Sequence, residues 1–439
     1  MSADRAILHS DMNSFYASVE MMLDPKLRGK AVAVCGSTEN RHGIVLAKSE
    51  LAKRAGVKTG MVNWEAKQRC KDLILVPPQY DQYLKYSKLA HEIYYRYTDL
   101  VEPFGMDECW LDVTGCEIYG KPLEIAEEIR QSVKEELGLT VSIGVSFNKI
   151  FAKLGSDLKK PDAITVITKQ NFKENIWPLA ASELLYVGSA TTKKLASYGI
   201  KTIGDLAATE PSTLKYMFGI NGLKLWRYAN GTDESRVMQK DFVSPVKSIG
   251  HGITCTADLD NEEEVFHVLL ELSQDVGHRL RVHGLAATGV QIFVRNKSLY
   301  STQYQYKLPF KTQLPSEIAA AGFQLFKEHY IWTEKVRAIT IRAIDLIPQT
   351  TEEQLSLMVD YERRDRRVRL EDAIDENTIL VSLMQVNNEA GTIMPVDTVK
   401  DLMKKKNAPG WFHCDAVQSF GKLQVPESAD LISVSSHKI

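Results

Sequence analysis

Long apolar runs, paired cysteines and an excess of charge of one sign are all missing from this chain of 439 residues. No apolar stretch is long enough to cross a bilayer as a helix, so no membrane partner is expected. The opening Met1-Ser2-Ala3-Asp4-Arg5 lacks the basic-then-apolar shape of a signal peptide. Six cysteines are scattered without a CxxC pair. That spacing excludes a disulfide framework and a zinc ribbon, and it fits a reducing cytoplasm. A net charge of -2 gives no global signal for nucleic acid, so any basic surface must be local. Internal repeats and low-complexity tracts are absent as well.

What is present is length, enough for several domains. Residues 1 to about 168 read as α/β. Short apolar runs at 6–9, 31–34, 109–113 and 141–145 alternate with helical periodicity at Leu84, Leu89 and Ile93 and at Ile125, Ile129 and Val133. From 169 to 236 the chain turns helical, with breaks at Gly188 and Gly199. The stretch 237–245 reads as a linker, and 246–348 as an α+β module. After Pro348 a polar stretch, 349–372, precedes a last α/β segment at 373–439.

The chemistry lies in three acids. Asp11 follows the run Ala6-Ile7-Leu8-His9-Ser10, and Asp107 and Glu108 precede Cys109-Trp110-Leu111. Both places read as strand edges. Acids packed in apolar surroundings repel one another and resist desolvation unless cations lie between them. Oxygen-only ligands suit Mg²⁺, and two such ions about 4 Å apart clamp an in-line phosphoryl displacement. Nucleotidyl transfer is therefore expected. After Asp11 the chain opens a helix at Ser14-Phe15-Tyr16, and free N–H groups at a helix start favour phosphate. Taken singly, Asp11 reads more readily as a turn-capping acid than as a metal ligand, and Asp107-Glu108 reads also as a hairpin tip.

Three stretches together, Asp11–Glu20, Gly105–Glu108 and Ser142–Pro161, resemble the Y-family, or translesion, DNA polymerases. The resemblance covers residues 1 to about 360. It implies an α+β multidomain fold, a right-hand polymerase with an α+β little finger. The palm would span 1–16 and 78–168, the fingers 17–77, the thumb 169–236 and the little finger 246–348. It further implies that Asp11, Asp107 and Glu108, with the Met12 carbonyl, hold two Mg²⁺ ions. Ser14, Phe15 and Tyr16 would line a dNTP triphosphate, Tyr16 would be the steric gate against ribonucleotides, and Lys160 would pair with phosphate. In the segment Ser49–Val57 the family's Tyr and Arg become Glu50 and Lys53. Lys53 or Arg54 would then supply the charge, unless both are plain surface charges. Primer–template DNA is the implied partner, which places the protein with the nucleoid. Low fidelity and bypass of damaged template are implied too.

The turn at Gly188, with Lys193, resembles a helix–hairpin–helix that binds DNA phosphates through backbone N–H groups. A plain helical hairpin is the alternative. Arg295, Lys297 and Lys307 are candidate phosphate contacts, and solubility explains each of them equally well. Gln354, Leu355, Leu357 and Met358 are similar to the QLxLF motif that docks on a sliding clamp, with Met in place of the aromatic.

From 373 the sequence resembles a cysteine desulfurase, a pyridoxal-phosphate (PLP) enzyme, as a partial α/β fragment fused to the polymerase. That resemblance would place Asn388, Asp415 and Gln418 around the cofactor ring and Lys438 at the Schiff base. The family's upstream phosphate loop and everything after Lys438 are missing, so PLP is not expected to bind. Two other functions stay open: a non-catalytic DNA- and clamp-binding relative of the polymerases, and a PLP-dependent desulfurase.

Overall fold

The computed structural model describes residues 5–37, 43–351, 370, 373, 374, 378–385, 394–417, 423, 424 and 426–434. It divides into two units, Met1–Ser244 and Pro245–Ile439.

The first unit opens with β1 (Ile7–Met12) and α1 (Phe15–Leu23). A small sheet follows from β2 (Val32–Cys35), β3 (Val45–Lys48), α2 (Glu50–Arg54), α3 (Asn63–Arg69) and β4 (Ile74–Val76), in strand order β3-β2-β4. Next come α4 (Tyr80–Tyr94), β5 (Val101–Pro103), β6 (Glu108–Asp112), α5 (Pro122–Leu137), β7 (Val141–Ser146), α6 (Lys149–Leu158) and β8 (Ile164–Val166). With β1 they complete a five-stranded sheet ordered β5-β6-β1-β7-β8.

The helix α5 shows why the sequence folds so. Pro122 sits in its first turn, where no backbone donor is lost. The Glu124 carboxylate accepts the Lys121 N–H at 2.7 Å. Ile125, Ile129, Val133 and Leu137 recur every four residues and are buried, and Gly138, at φ 66, ends the helix. These side chains meet Leu8, Met12, Leu111, Val141 and Ile143 on one face of the sheet. Each such aliphatic side chain, fully buried, contributes about 1.5–3 kcal/mol.

The opposite face carries His9, Asp11, Glu108 and Trp110, with Gly144 opposite His9 in the register. The helix α6 covers it. A Cβ on Gly144 would fall 1.9 Å from the Ala152 carbonyl oxygen, and Gly155 packs on Gly144 in return. Only a bare strand lets the helix backbone lie this close.

On its other side α6 supplies Ile150, Phe151 and Leu154 to a helical cluster. That cluster contains α7 (Phe172–Ile176), α8 (Ser189–Ser197), α9 (Ile203–Ala208), α10 (Pro211–Phe218) and α11 (Ile220–Ala229). Beyond α11 the chain is not yet a free linker. Val237 is buried against Ile7, Trp110 and Ala152. The Met238 N–H donates to Glu102 and the Lys240 N–H to the Asp99 carbonyl, each at 2.9 Å. The stretch expected as a linker, 237–245, is thus tied down through Lys240, although Val237 is its one buried residue. One buried valine in a polar run gives no periodicity to read.

In the second unit β9 (Ser248–Leu259), α12 (Glu262–Val282), β10 (Leu285–Asn296), β11 (Ser301–Thr312), α13 (Pro315–His329) and β12 (Val336–Pro348) form an antiparallel sheet ordered β11-β10-β12-β9. Both helices pack on a core of Val290, Ile292, Ile339 and Ile341. The Asn261 side chain caps α12 by accepting the Glu264 N–H at 2.9 Å. Glu262–Glu264 at its start and Arg279 and Arg281 at its end suit the helix dipole.

Farther along lie β13 (Leu380–Met384), α14 (Val399–Lys405), β14 (Trp411–Asp415) and β15 (Leu431–Ser433). The three strands are parallel. Val381, Phe412 and Cys414 form a core with Val399, Leu402 and Met403. None of the six cysteines is joined in a disulfide.

Candidate active site

Asp11 on β1 and Glu108 on β6 are direct cross-strand partners. Such partners project on the same face, here the one under α6. Asp107 lies where β6 begins, and its carbonyl accepts the Met12 N–H at 2.9 Å. Among the described residues no three His, Cys, Asp or Glu side chains are already arranged as a metal cage.

Two ammonium groups meet the negative charge instead. Lys153 Nζ lies 2.8 Å from Glu108 Oε2, 3.4 Å from Asp11 Oδ2 and 3.1 Å from Asp157 Oδ2. Lys160 Nζ lies 2.8 Å from Asp11 Oδ2 and 2.9 Å from Asp157 Oδ1. Burial pushes the Asp107 carboxyl up to about 6, reinforced by the charges of Asp11 and Glu108. Burial works the same way on Glu108, but its contacts with His9 and Lys153 bring it below the usual range. Burial opposes the Lys153 charge, yet Glu108, Asp157 and Asp11 hold that ammonium firmly protonated.

The start of α1 adjoins Asp11. Ser14 is left-handed, at φ 48, which turns the chain from strand into helix. Among the described residues the N–H groups of Ser14, Phe15 and Tyr16 find no backbone acceptor, whereas Asn13 donates to Thr140 and Ser18 to Ser14. Asn13 braces this turn: its amide donates to Ser142 Oγ at 2.9 Å and its carbonyl oxygen accepts the Asp162 N–H at 2.8 Å. The Tyr16 ring stacks on Tyr83, with centroids 4.1 Å apart and planes 8° apart. Tyr83 in turn donates to the buried Glu20. Lys53 is exposed, 3.7 Å from Glu50 Oε1, and the same oxygen accepts from Ser14 Oγ at 3.2 Å.

Hard oxygen donors are what a divalent cation takes. Two ammonium groups already drawn to Asp11 and Glu108 show a place that favours positive charge. Glu108 Oε2 is buried against the His9 ring at 3.3 Å and the Lys153 ammonium at 2.8 Å, neither contact having hydrogen-bond geometry, which leaves the carboxylate's charge unspent. The side chains present therefore fit Mg²⁺.

Comparison with known proteins decides the family. The impB/mucB/samB family model matches residues 10–157, and that family's C-terminal domain matches 246–357. DNA polymerase IV of Acetivibrio thermocellus is 48% identical over 84% of this chain and 93% of its own. DNA polymerase IV 1 of Bacillus subtilis is 38% identical over 88% and 91%. The chain belongs to this family, the Y-family DNA polymerases. A solved Y-family chimera, Dbh-Dpo4(243-245)-Dbh, shares the fold, with a TM-score of 0.70 and 24% identity over 78% of this chain and 99% of that one. The thumb-domain model of DNA polymerase-iota matches 183–233. The aminotransferase class-V model matches 345–439, starting ahead of the expected boundary at 373.

Within this Y-family frame, Gly188 precedes α8 and is exposed, as is Lys193 on α8. Arg295 is next to last in β10 and donates through Nε to Ser301 Oγ at 3.0 Å. Lys297 follows it in the turn, and Lys307 on β11 pairs with Gly289. Gln354, Leu355, Leu357, Met358, Asn388, Gln418 and Lys438 lie outside the described residues. Asp415 ends β14, where its Oδ1 accepts the Val417 N–H at 3.0 Å. The reading of single acids had missed Lys153, Asn13 and His9. A signal existed for Lys153: Lys149, Lys153 and Asp157 recur every four residues, which puts them on one face of α6.

Proposed function

We propose that the chain is a template-directed DNA polymerase of the translesion class, adding dNTPs to a primer 3′-hydroxyl. The observation that carries this reading is the cross-strand pairing of Asp11 with Glu108 beside the open N–H groups of α1. Asp11, Asp107, Glu108 and the Met12 carbonyl would hold divalent ions. When bound, such ions neutralise phosphate charge and lower the pKa of the primer hydroxyl.

The remaining work belongs to the chain. The N–H groups of Ser14, Phe15 and Tyr16 donate to the triphosphate oxygens at the positive end of α1. Lys160, already aimed at Asp11, turns its ammonium toward phosphate as a point charge. Lys53, or Arg54 beside it, adds charge at the same end. The primer oxygen forms its bond to the α-phosphorus as the bond to pyrophosphate breaks, and positioning supplies most of the acceleration. The Tyr16 ring, backed by Tyr83, occupies the space a ribose 2′-hydroxyl would need. Gly188, Lys193, Arg295 and Lys297 contact DNA phosphates without reading sequence. Gln354, Leu355, Leu357 and Met358 dock on a sliding clamp, and low fidelity with lesion bypass accompanies the family's loose mode of templating. The tail performs no PLP chemistry.

Extension of a primed template with Mg²⁺ and dNTPs tests the reading. Wild type extends, and Asp107→Ala does not. Extension by both alike, or by neither, favours the non-catalytic alternative.

A further inference from the structure

The buried polar groups behind the acids hold one residue that the reaction so far does not use. His9 is fully buried on β1, two residues before Asp11. Its ring meets Trp110 edge-on, with centroids 5.1 Å apart. Nδ1 lies 2.8 Å from Ser156 Oγ on α6. At the other end of the ring, Nε2 lies 3.3 Å from Glu108 Oε2. At that distance the two atoms face each other without yet forming a hydrogen bond of good geometry; Nε2 has no other partner among the described residues, and the oxygen meets only the Lys153 ammonium besides, at 2.8 Å.

The proton count decides which way the ring is used. Ser156 has one hydroxyl proton and two acceptors in reach, His9 Nδ1 and the Lys153 carbonyl, the latter at 2.7 Å. Given to Lys153, that proton leaves the neutral ring protonated at Nδ1, and a bare Nε2 lone pair faces a carboxylate. Given to Nδ1, it leaves Nε2–H free to donate to Glu108. A hydrogen bond to an ionised carboxylate is roughly twice as strong as one between neutral groups. The second arrangement therefore wins.

We propose that His9 is a positioning residue for Glu108. Its Nε2–H occupies one carboxylate oxygen and directs the other toward the cation. The ring itself is fixed by Ser156 and Trp110, so a buried relay from α6 sets the aim of an acid on β6. Outer groups of this kind tune metal affinity by about 10–100-fold when removed.

The inference rests on Glu108 being a cation ligand, and the test separates the two claims. Mn²⁺ binding to the full chain is followed by the EPR signal of the free ion, beside the Mn²⁺ and dNTP dependence of primer extension. Glu108→Gln should weaken Mn²⁺ binding; unchanged binding would remove the ligand assignment itself. With that arm in place, His9→Phe should weaken Mn²⁺ binding at least tenfold and raise the Mn²⁺ requirement for extension, with the dNTP KM little changed. His9→Gln, whose amide restores an N–H donor, should recover most of the loss. His9→Phe binding within twofold of wild type overturns the proposal, as does a His9→Gln loss equal to that of His9→Phe. Thermal unfolding checks each variant. If His9→Phe does not fold, His9→Met, whose flexible thioether fills the gap without a donor, takes its place under the same criteria.

Discussion

Asp107 sits where its charge is unwelcome. Burial and the nearby Asp11 and Glu108 raise its carboxyl to about 6 from a model-peptide value near 4. Above pH 6 the group is ionised in both folded and unfolded chains, and the folded state bears the full cost. As pH falls through 6 the folded group takes up a proton first, and below about 4 the difference is gone. The Asp107→Asn protein, measured in EDTA, should therefore be more stable than wild type at pH 8. About 1–2 kcal/mol is expected, because partial solvent access screens some of the cost. Denaturant midpoints should converge near pH 4. A constant gap across that range would mean that charge is not the cause. The same variant should fail in primer extension, so one carboxyl trades stability for activity. Tyr16 poses a different problem, one of shape. Its ring is fixed on one side by Tyr83 and through Tyr83 by Glu20. Tyr16→Ala opens that space, and incorporation of ribonucleotides relative to deoxyribonucleotides should rise on the order of a hundredfold in single-turnover assays.

At the scale of elements the site depends on how closely α6 approaches the sheet. Lys153 and Lys160 reach Asp11 because the helix lies on the bare backbone at Gly144. Gly144→Ala would place a methyl 1.9 Å from the Ala152 carbonyl, so the helix must move away. Overpacking of this kind costs about 1–3 kcal/mol. Urea unfolding should show that loss, and extension should fall with it even though no side chain near the phosphates has changed. Retained stability would mean that α6 has room to shift. This dependence also separates what the sequence discloses from what it hides. The helix α5 is legible from Pro122 and its four-residue spacing, and β1 and β7 from their apolar runs, because one pattern and one environment coincide there. Asp11, Asp107 and Glu108 stand out because acids are rare among such residues. The ammonium of Lys153 between Asp11 and Glu108 is not legible, since a lysine four residues before an aspartate reads as an ordinary surface pair. Nor is the fixing of 237–240, which rests on one buried valine and three hydrogen bonds to residues more than a hundred positions away.

At the scale of the molecule the acids, the two lysines and the open amides of α1 all belong to the unit Met1–Ser244. The parallel strands β13, β14 and β15 contribute none of them. Parallel sheets are stable when both faces are covered. Here one face packs on α14, whereas Leu380, Trp411 and Leu431 across it are 54, 60 and 50% exposed. Three short strands with a core on one side can bury little apolar area, and stability falls with the fraction of surface buried. The segment should therefore unfold below the rest of the chain, as a separate, smaller transition in calorimetry. A chain ending at residue 372 should lose that transition and keep the primer-extension rate of the full chain within about twofold, a change of less than half a kcal/mol in the barrier. Added PLP should give neither chain an absorbance band of a Schiff base. A single cooperative transition in the full chain, or a large fall in extension on shortening, would instead make the segment an integral part of the polymerase.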